Sequence, residues 1–150
     1  MLKRKSLRLA HYNYHHPAAY FVTLVTHRRR HYFGAITAGI FYPNPIASTV
    51  LRCWQELADR FSSVQVGELV VMPNHLHGIL WITQGDGPAL STLVALFKGS
   101  LSKQVRTPCP LWQRGYYDRV IRDSTELSNV RAYIRDNPLK WELDRLNRSG

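Results

Sequence analysis

Hydrophobic and polar residues are distributed along this 150-residue chain in a pattern that predicts an ordered series of strands and helices. Three segments rich in β-branched and aromatic residues are predicted to be strands: 19–26, 64–72 and 75–83. Two segments repeat apolar residues at helical spacing: 46–61 and 89–106. A third helix is predicted between a cap at Asp123-Ser124 and a stop at Asn137-Pro138. Pro73-Asn74 favours a tight turn, so the second and third strands are expected to be antiparallel.

The order of these elements predicts the fold class. With an extended segment at 111–117, the chain runs strand, helix, strand, strand, helix, extended segment, helix. This order is typical of an α+β protein with a ferredoxin-like, split βαβ arrangement, in which an antiparallel sheet carries helices packed on one face. We detect no repeat or linker, so residues 1–150 are expected to form a single domain, with residues 1–17 as a basic arm on its surface.

The charge balance indicates the kind of partner. Lys and Arg number 20 against 10 Asp and Glu, which gives a net charge of +10. Such an excess favours a polyanionic partner, most often nucleic acid. A basic ribosome-associated protein or a membrane-surface protein would have the same balance, so charge alone does not choose among them.

The two cysteines, Cys53 and Cys109, lie far apart and form no CxxC pair, which is typical of a reducing compartment. The basic start is followed by no apolar segment of a signal peptide, and no apolar run approaches the roughly 18 residues that a membrane span needs. A cytoplasmic location is therefore expected.

His75 and His77 stand two residues apart in the most apolar part of the sequence. In a strand, residues two apart project to the same side, so both imidazoles would share one face. From such positions the ring nitrogens can converge on one divalent ion at about 2.1 Å. A His-x-His pair in a strand is more often simply two partly exposed polar residues. The metal interpretation gains weight only if a third ligand and a reacting group lie nearby.

A second informative stretch is LWQRGYYDRVIRD, residues 111–123. Taken alone, it is well explained as an aromatic-rich edge strand followed by a basic helix, with its tyrosines packed in the core. Together with PNHLHG at 73–78 and YIRDNPLKW at 133–141, however, it resembles the REP-associated tyrosine transposases, which are single-tyrosine enzymes of the His-hydrophobic-His superfamily. The opening RKSLRLAHYNYHHPAAYFVTLVTHRRRHYFG is similar to the arm and first strand of that family, so the resemblance extends from about Arg4 to Trp141.

The resemblance implies a ferredoxin-like fold whose central strand carries the histidine pair and whose C-terminal helical segment carries a nucleophilic tyrosine. By motif, the metal ligands are His75 and His77, and the ion is Mg²⁺ or Mn²⁺. The nucleophile carried over is Tyr116, directly after WQRG, in preference to its neighbour Tyr117.

The third ligand is left open. Related insertion-sequence enzymes use a polar residue one helical turn after the tyrosine, but the fourth residue after Tyr116 is Val120. The nearby carboxylates, Asp118 and Asp123, are the two candidates.

The activity that the resemblance implies is a metal-dependent transesterification of single-stranded DNA. Cleavage and rejoining would proceed through a 5′-phosphotyrosine intermediate at hairpin-associated sites, in a monomer or a homodimer. The residues expected to bind DNA phosphates are Arg28, Arg29, Arg30, Lys98, Lys103, Arg114, Arg119 and Arg122. The aromatic residues that could stack on unpaired bases are Tyr12, Tyr14, Tyr32, Phe33 and Trp112.

Two other functions are consistent with the same residues. One is a catalytically silent module of the same fold that binds single-stranded or hairpin nucleic acid. The other is a metal-dependent phosphoesterase that uses activated water and in which Tyr116 is structural. A variant without the Tyr116 hydroxyl distinguishes the three, because only the transesterase loses both cleavage and a covalent adduct.

Overall fold

The computed structural model describes residues 14, 16–107 and 109–138. It contains six strands and three helices in these ranges, together with a short 3₁₀ turn at His27–Arg29 that follows the first strand. The elements in chain order are β1 (Ala18–Val25), β2 (Gly34–Thr37), β3 (Ile40–Pro43), α1 (Pro45–Arg60), β4 (Val64–Met72), β5 (His75–Ile82), α2 (Leu90–Gln104), β6 (Tyr117–Ile121) and α3 (Ser124–Asp136).

Four strands form the central sheet in the order β4-β5-β1-β6, and every neighbouring pair is antiparallel. β1 is central, with Val25 opposite His75 of β5 and Ala19 opposite Ile121 of β6. α1 connects β1 to β4 and α2 connects β5 to β6, which is the split βαβ topology. The predicted ferredoxin-like α+β fold is therefore confirmed.

The bounds predicted for β1, β4, β5 and the three helices agree closely with the structure because the local signals that set them are strong. The extended segment predicted at 111–117 was misplaced, since the strand at this point of the chain is β6. Asn44 caps α1 by accepting a hydrogen bond from the Ile46 amide, and Pro45 is the first helical residue. Asp123 caps α3 in the same way through the Glu126 amide. The β2–β3 hairpin was not predicted from the sequence, because its strands have only four residues each.

The two faces of the sheet are covered by different helices. α1 and α2 pack on one face, over alternate strand residues such as Val22 and Leu76. The opposite face carries Ala19, Phe21 and Ile79, and a smaller apolar cluster there includes Val130 and Ile134 of α3. The expectation of helices on one face thus holds for α1 and α2, whereas α3 lies on the other, because that face is also apolar.

Gly78 on β5 allows α1 to approach the sheet closely. A Cβ atom at this position would lie 2.6 Å from Cζ2 of Trp54 on α1. The absence of a side chain is therefore a packing requirement, and it holds the helix layer directly behind the strand that carries the two histidines.

The N-terminal arm lies largely outside the described residues. Tyr14, at its end, packs with its ring centroid 6.1 Å from that of Tyr20, and the Tyr20 hydroxyl donates a hydrogen bond to the His16 carbonyl. In the part of the chain that the structure describes, no helix has the length and apolar character required to cross a membrane.

Candidate active site

His75 and His77 lie side by side on the face of the sheet that α3 covers. Both side chains are buried, with no exposed surface, and their ring centroids are 4.7 Å apart. Directly opposite His77 on β1 is Thr23, and opposite His75 is Val25. The pair therefore lies on one face of an inner strand, as its alternation predicted, but its burial is complete rather than partial.

Each imidazole is held through its Nδ1 atom. Nδ1 of His75 lies 2.7 Å from Oδ1 of Asn74, and Nδ1 of His77 lies 2.7 Å from Oγ1 of Thr23. An amide oxygen can only accept, so Nδ1 of His75 donates and its Nε2 keeps a lone pair. Nε2 of His77 is buried and makes no hydrogen bond to any described residue. In a metal-ligating histidine, one ring nitrogen usually makes a hydrogen bond to the protein, and the lone pair of the other nitrogen binds the metal.

The electrostatic environment keeps both imidazoles neutral. Burial lowers the pKa of His77 to about 3. The pKa of His75 is also well below its usual value, chiefly through burial and then through the charges of His77 and Arg29, while an interaction with the Asn137 side chain acts in the opposite direction. Neutral imidazole is the form that binds metal ions.

Tyr133 of α3 contacts the histidine pair. The centroid of its ring lies 5.2 Å from that of His77 in an edge-on contact. Phe21 completes the cluster, since it stacks on His77 at 5.4 Å and meets Tyr133 edge-on at 6.0 Å. Tyr133 is 43% exposed, so part of this residue faces solvent although its ring contacts the buried pair.

Asn137 follows Tyr133 by one helical turn and completes the polar cluster. Its side chain is buried, and Oδ1 has no hydrogen-bond partner among the described residues. A buried amide oxygen without a partner costs free energy unless a ligand satisfies it. Two neutral imidazoles and one amide oxygen are a donor set that fits a divalent ion accepting both nitrogen and oxygen, such as Mn²⁺. Within the described ranges, no group of three His, Cys, Asp or Glu residues is able to hold a metal.

The structure does not bring Tyr116 to the histidines. Tyr117 pairs with Thr23 and therefore shares the histidine face, whereas Tyr116, one residue earlier, points to the opposite face. There it is 5% exposed and belongs to the core formed with α1 and α2. The sheet separates its phenol from both imidazoles. The prediction that Tyr116 is the nucleophile therefore does not fit the structure, because Tyr116 lies in the core. The tyrosine that lies on a C-terminal helix beside the pair is Tyr133.

Neither carboxylate predicted as the third ligand is placed for that role. Asp118 pairs with Val22 and so lies on the face of the sheet away from the histidines. Asp123 is exposed and uses its carboxylate to cap α3. Asp118 lies on that face because side chains alternate along β6, and Asp123 acts as a cap because it directly precedes α3.

The predicted DNA-binding cations are spread over the surface. Arg29 lies nearest the site, since its charge contributes to the low pKa of His75. Arg119 shares the histidine face and its guanidinium is 3.8 Å from the Glu126 carboxylate. Lys98 donates hydrogen bonds to the carbonyls of Gln113 and Gly115, so its ammonium holds the chain rather than facing solvent. The remaining five are exposed, and their role stays a prediction: Arg28, Arg30, Lys103, Arg114 and Arg122.

The aromatic residues expected to stack on bases differ in their exposure, and Tyr14 is half-buried. Phe33 is fully buried, and Trp112 packs against it and against Phe97. Tyr32 is half-buried, and Tyr12 lies outside the described residues. Trp112 is half-buried as well, and the ammonium of Lys98 lies 6.0 Å from its ring centroid.

Sequence reasoning missed Tyr133 and Asn137, although the signal was present. The stretch YIRDNP places a polar residue four positions after a tyrosine, which is the spacing that was sought and not found after Tyr116. The predicted helix also contained Tyr133, so the spacing would have placed both side chains on one helical face.

Comparison with known proteins identifies the family of the chain. The family described as IS200-like transposases matches residues 16–137. The chain belongs to this family. An uncharacterized protein of Haemophilus influenzae is 31% identical over 95% of the chain and 92% of its own length. A protein of the same organism named as a REP-associated tyrosine transposase is 25% identical over 48% of each chain.

Two solved structures described as transposases share the fold. The structure of a REP-associated tyrosine transposase bound to a REP hairpin superposes with a TM-score of 0.68 at 19% identity, covering 89% of this chain and 74% of the other. A transposase structure from Deinococcus radiodurans superposes with a TM-score of 0.54 at 17% identity, covering 80% and 90%. The resemblance inferred from the motifs is therefore confirmed at the level of family and fold.

Proposed function

We propose that this transposase-family protein is a metal-dependent single-stranded DNA transesterase whose nucleophile is Tyr133. The proposal rests above all on one observation: the Tyr133 ring lies against His77, one helical turn before Asn137. The substrate would be single-stranded DNA next to a hairpin, because a structurally similar transposase was solved bound to a REP hairpin.

In the proposed reaction the Tyr133 oxygen attacks a backbone phosphorus. A bond forms between Oη and phosphorus, and the bond from phosphorus to the 3′-oxygen breaks. The phenol proton passes to water, and the departing 3′-oxygen takes up a proton to become a hydroxyl. The product is a 5′-phosphotyrosine link that preserves the phosphodiester energy, so a 3′-hydroxyl can reverse the reaction and join strands.

The surrounding residues prepare this step. A phenol ordinarily ionises only near pH ~10 and is a weak nucleophile without assistance. A divalent ion bound by His75, His77 and Asn137 would neutralise charge that develops on the nonbridging phosphate oxygens. Phe21 packs against both His77 and Tyr133 and fixes the nucleophile relative to the ligands. The net charge of +10 and the position of Arg29 favour an anionic backbone at this site.

Two matched tyrosine variants test the proposal. Purified wild type, Tyr133→Phe and Tyr116→Phe are incubated with Mn²⁺ and labelled oligonucleotides that combine a hairpin with a single-stranded flank. Label that survives denaturing electrophoresis on the protein measures the covalent adduct. Tyr133→Phe is expected to lose both adduct and cleavage, whereas Tyr116→Phe keeps both, with its folding checked by urea denaturation.

Each alternative has its own outcome in this assay. If Tyr133→Phe still cleaves, the protein is a hydrolase that uses water. If only Tyr116→Phe loses the adduct while remaining folded, the nucleophile assignment is overturned. A wild-type protein that binds the hairpins and never cleaves them is a silent binding module.

A further inference from the structure

A basic groove lies apart from the histidine pair, between the C-terminal half of α2 and the segment 105–114. Its volume is about 1040 Å³, which is at or above the upper end of typical small-ligand pockets. His27, Arg106 and Arg114 line it together with Lys98, and none of its described lining residues is acidic. Arg106 and Arg114 are exposed and form no ion pair with any described carboxylate. Their charge is therefore available to an anion.

The wall of the groove is fixed in place by the protein itself. Lys98 holds the chain through the carbonyls of Gln113 and Gly115. The Trp112 ring packs against Phe33 and Phe97 at centroid distances of 5.7 and 6.0 Å. A binding surface that is ordered before the ligand arrives loses less entropy on binding.

The groove and the histidine pair both lie near one end of the sheet. His27, which lines the groove, follows Thr26, whose amide and hydroxyl both donate to the Asn74 carbonyl at 2.9 Å. The side chain of Asn74 in turn anchors His75. His27 of the groove and His75 of the candidate site are therefore connected through Thr26 and Asn74 at one end of the sheet.

We propose that this groove binds an unpaired nucleic-acid strand, as a second contact for the substrate cleaved beside Tyr133. This inference rests on the proposed function. An unpaired strand fits better than a duplex because an aromatic wall residue, the half-buried Trp112, lies among the cations. Bases need such surfaces when they are not paired, and phosphates need the cations. A duplex would use only the charge.

Charge-neutral variants of the groove arginines test the assignment. The probe is a fluorescein-labelled oligo(dT) of about 20 nucleotides, with binding followed by anisotropy without divalent metal over a range of salt. The double variant Arg106→Gln with Arg114→Gln is expected to bind the probe roughly 20-fold more weakly at about 0.1 M salt. The slope of log affinity against log salt should also become shallower by about 1.4, because each lost phosphate contact on a single strand contributes about 0.7. The matched control, Arg52→Gln with Arg60→Gln on α1, removes the same charge from exposed positions outside the groove.

A photocrosslink locates the strand directly. Wild-type protein is irradiated with the same probe carrying 5-iodouracil, and crosslinked peptides are identified by mass spectrometry. Crosslinks to 109–114, and Trp112 in particular, are the expected result. Equal loss of affinity in the two double variants, crosslinks confined to other regions, or displacement of the probe by polyglutamate but not by unlabelled oligo(dT) would each overturn the inference.

The outcome is separable from that of the proposed function. The groove experiments use no metal and no cleavage, so they can succeed even if Tyr133 forms no adduct. Conversely, adduct formation on hairpin substrates can proceed even if oligo(dT) avoids the groove, and in that case only the groove assignment is overturned.

Discussion

Acid should destabilise the metal-free protein because His77 is buried as a neutral base. Its pKa is about 3 in the folded state, against about 6.5 for a histidine in an unfolded chain. Between these values the unfolded state holds a proton that the folded state does not, so the free energy of unfolding falls as pH falls through about 6.5. The contribution is fully present above that pH and is lost progressively toward pH 3.

The size of the effect follows from the two pKa values. Going from about pH 7 to about pH 5, His77 alone lowers the free energy of unfolding by about 2 kcal/mol, at 1.36 kcal/mol for each pKa unit. The lowered pKa of His75 acts in the same direction. With a urea m-value of about 2 kcal/mol per M, the midpoint should fall by about 1 M or more.

The assay is urea denaturation at the two pH values in EDTA, followed by tryptophan fluorescence. EDTA is needed because a metal that binds only the folded state would add its own stabilisation. His77→Gln keeps a polar side chain of similar size that does not titrate, and it should lose about 2 kcal/mol less than wild type on acidification. His31→Gln, at an exposed position, is the control and should keep the wild-type pH dependence. Equal acid losses in wild type and His77→Gln would refute the buried neutral imidazole.

Four further variants test the site and the elements that support it. Thr23→Val removes the partner of His77 Nδ1 and should weaken Mn²⁺ binding about 10- to 100-fold in a calorimetric titration, whereas unchanged affinity would mean that the hydroxyl does not orient the ring. Gly78→Ala should lower the free energy of unfolding by about 1–3 kcal/mol because the new Cβ would clash with Trp54. Gly99→Ala in α2, whose Cβ would meet nothing within 4 Å, should raise the free energy of unfolding by about 0.5–1 kcal/mol. Urea midpoints that fail to separate the two variants would contradict this packing. Asp123→Ala removes the cap of α3 and should cost about 1 kcal/mol by the same measurement, and no change would show that the cap is not used.

The sequence by itself determined three strands of the sheet and the three helices of the described residues. The two-residue alternation of β5 put His75 and His77 on one face, and the caps Asn44 and Asp123 marked where helices begin. These features are local, since each depends only on the period of a strand or on a side chain reaching a nearby amide. The motifs also sufficed to predict the family.

Only the tertiary structure decided which tyrosine lies beside the histidine pair. Alternation shows that neighbouring residues such as Tyr116 and Tyr117 lie on opposite faces, but it does not show which helix covers each face. That depends on α3 packing against Phe21 and its neighbours, far away in sequence, and this packing brings Tyr133 to His77. The complete burial of the two histidines could not be predicted from the sequence for the same reason. An imidazole loses its contact with water only when a helix distant in sequence covers it, and this burial lowers its pKa.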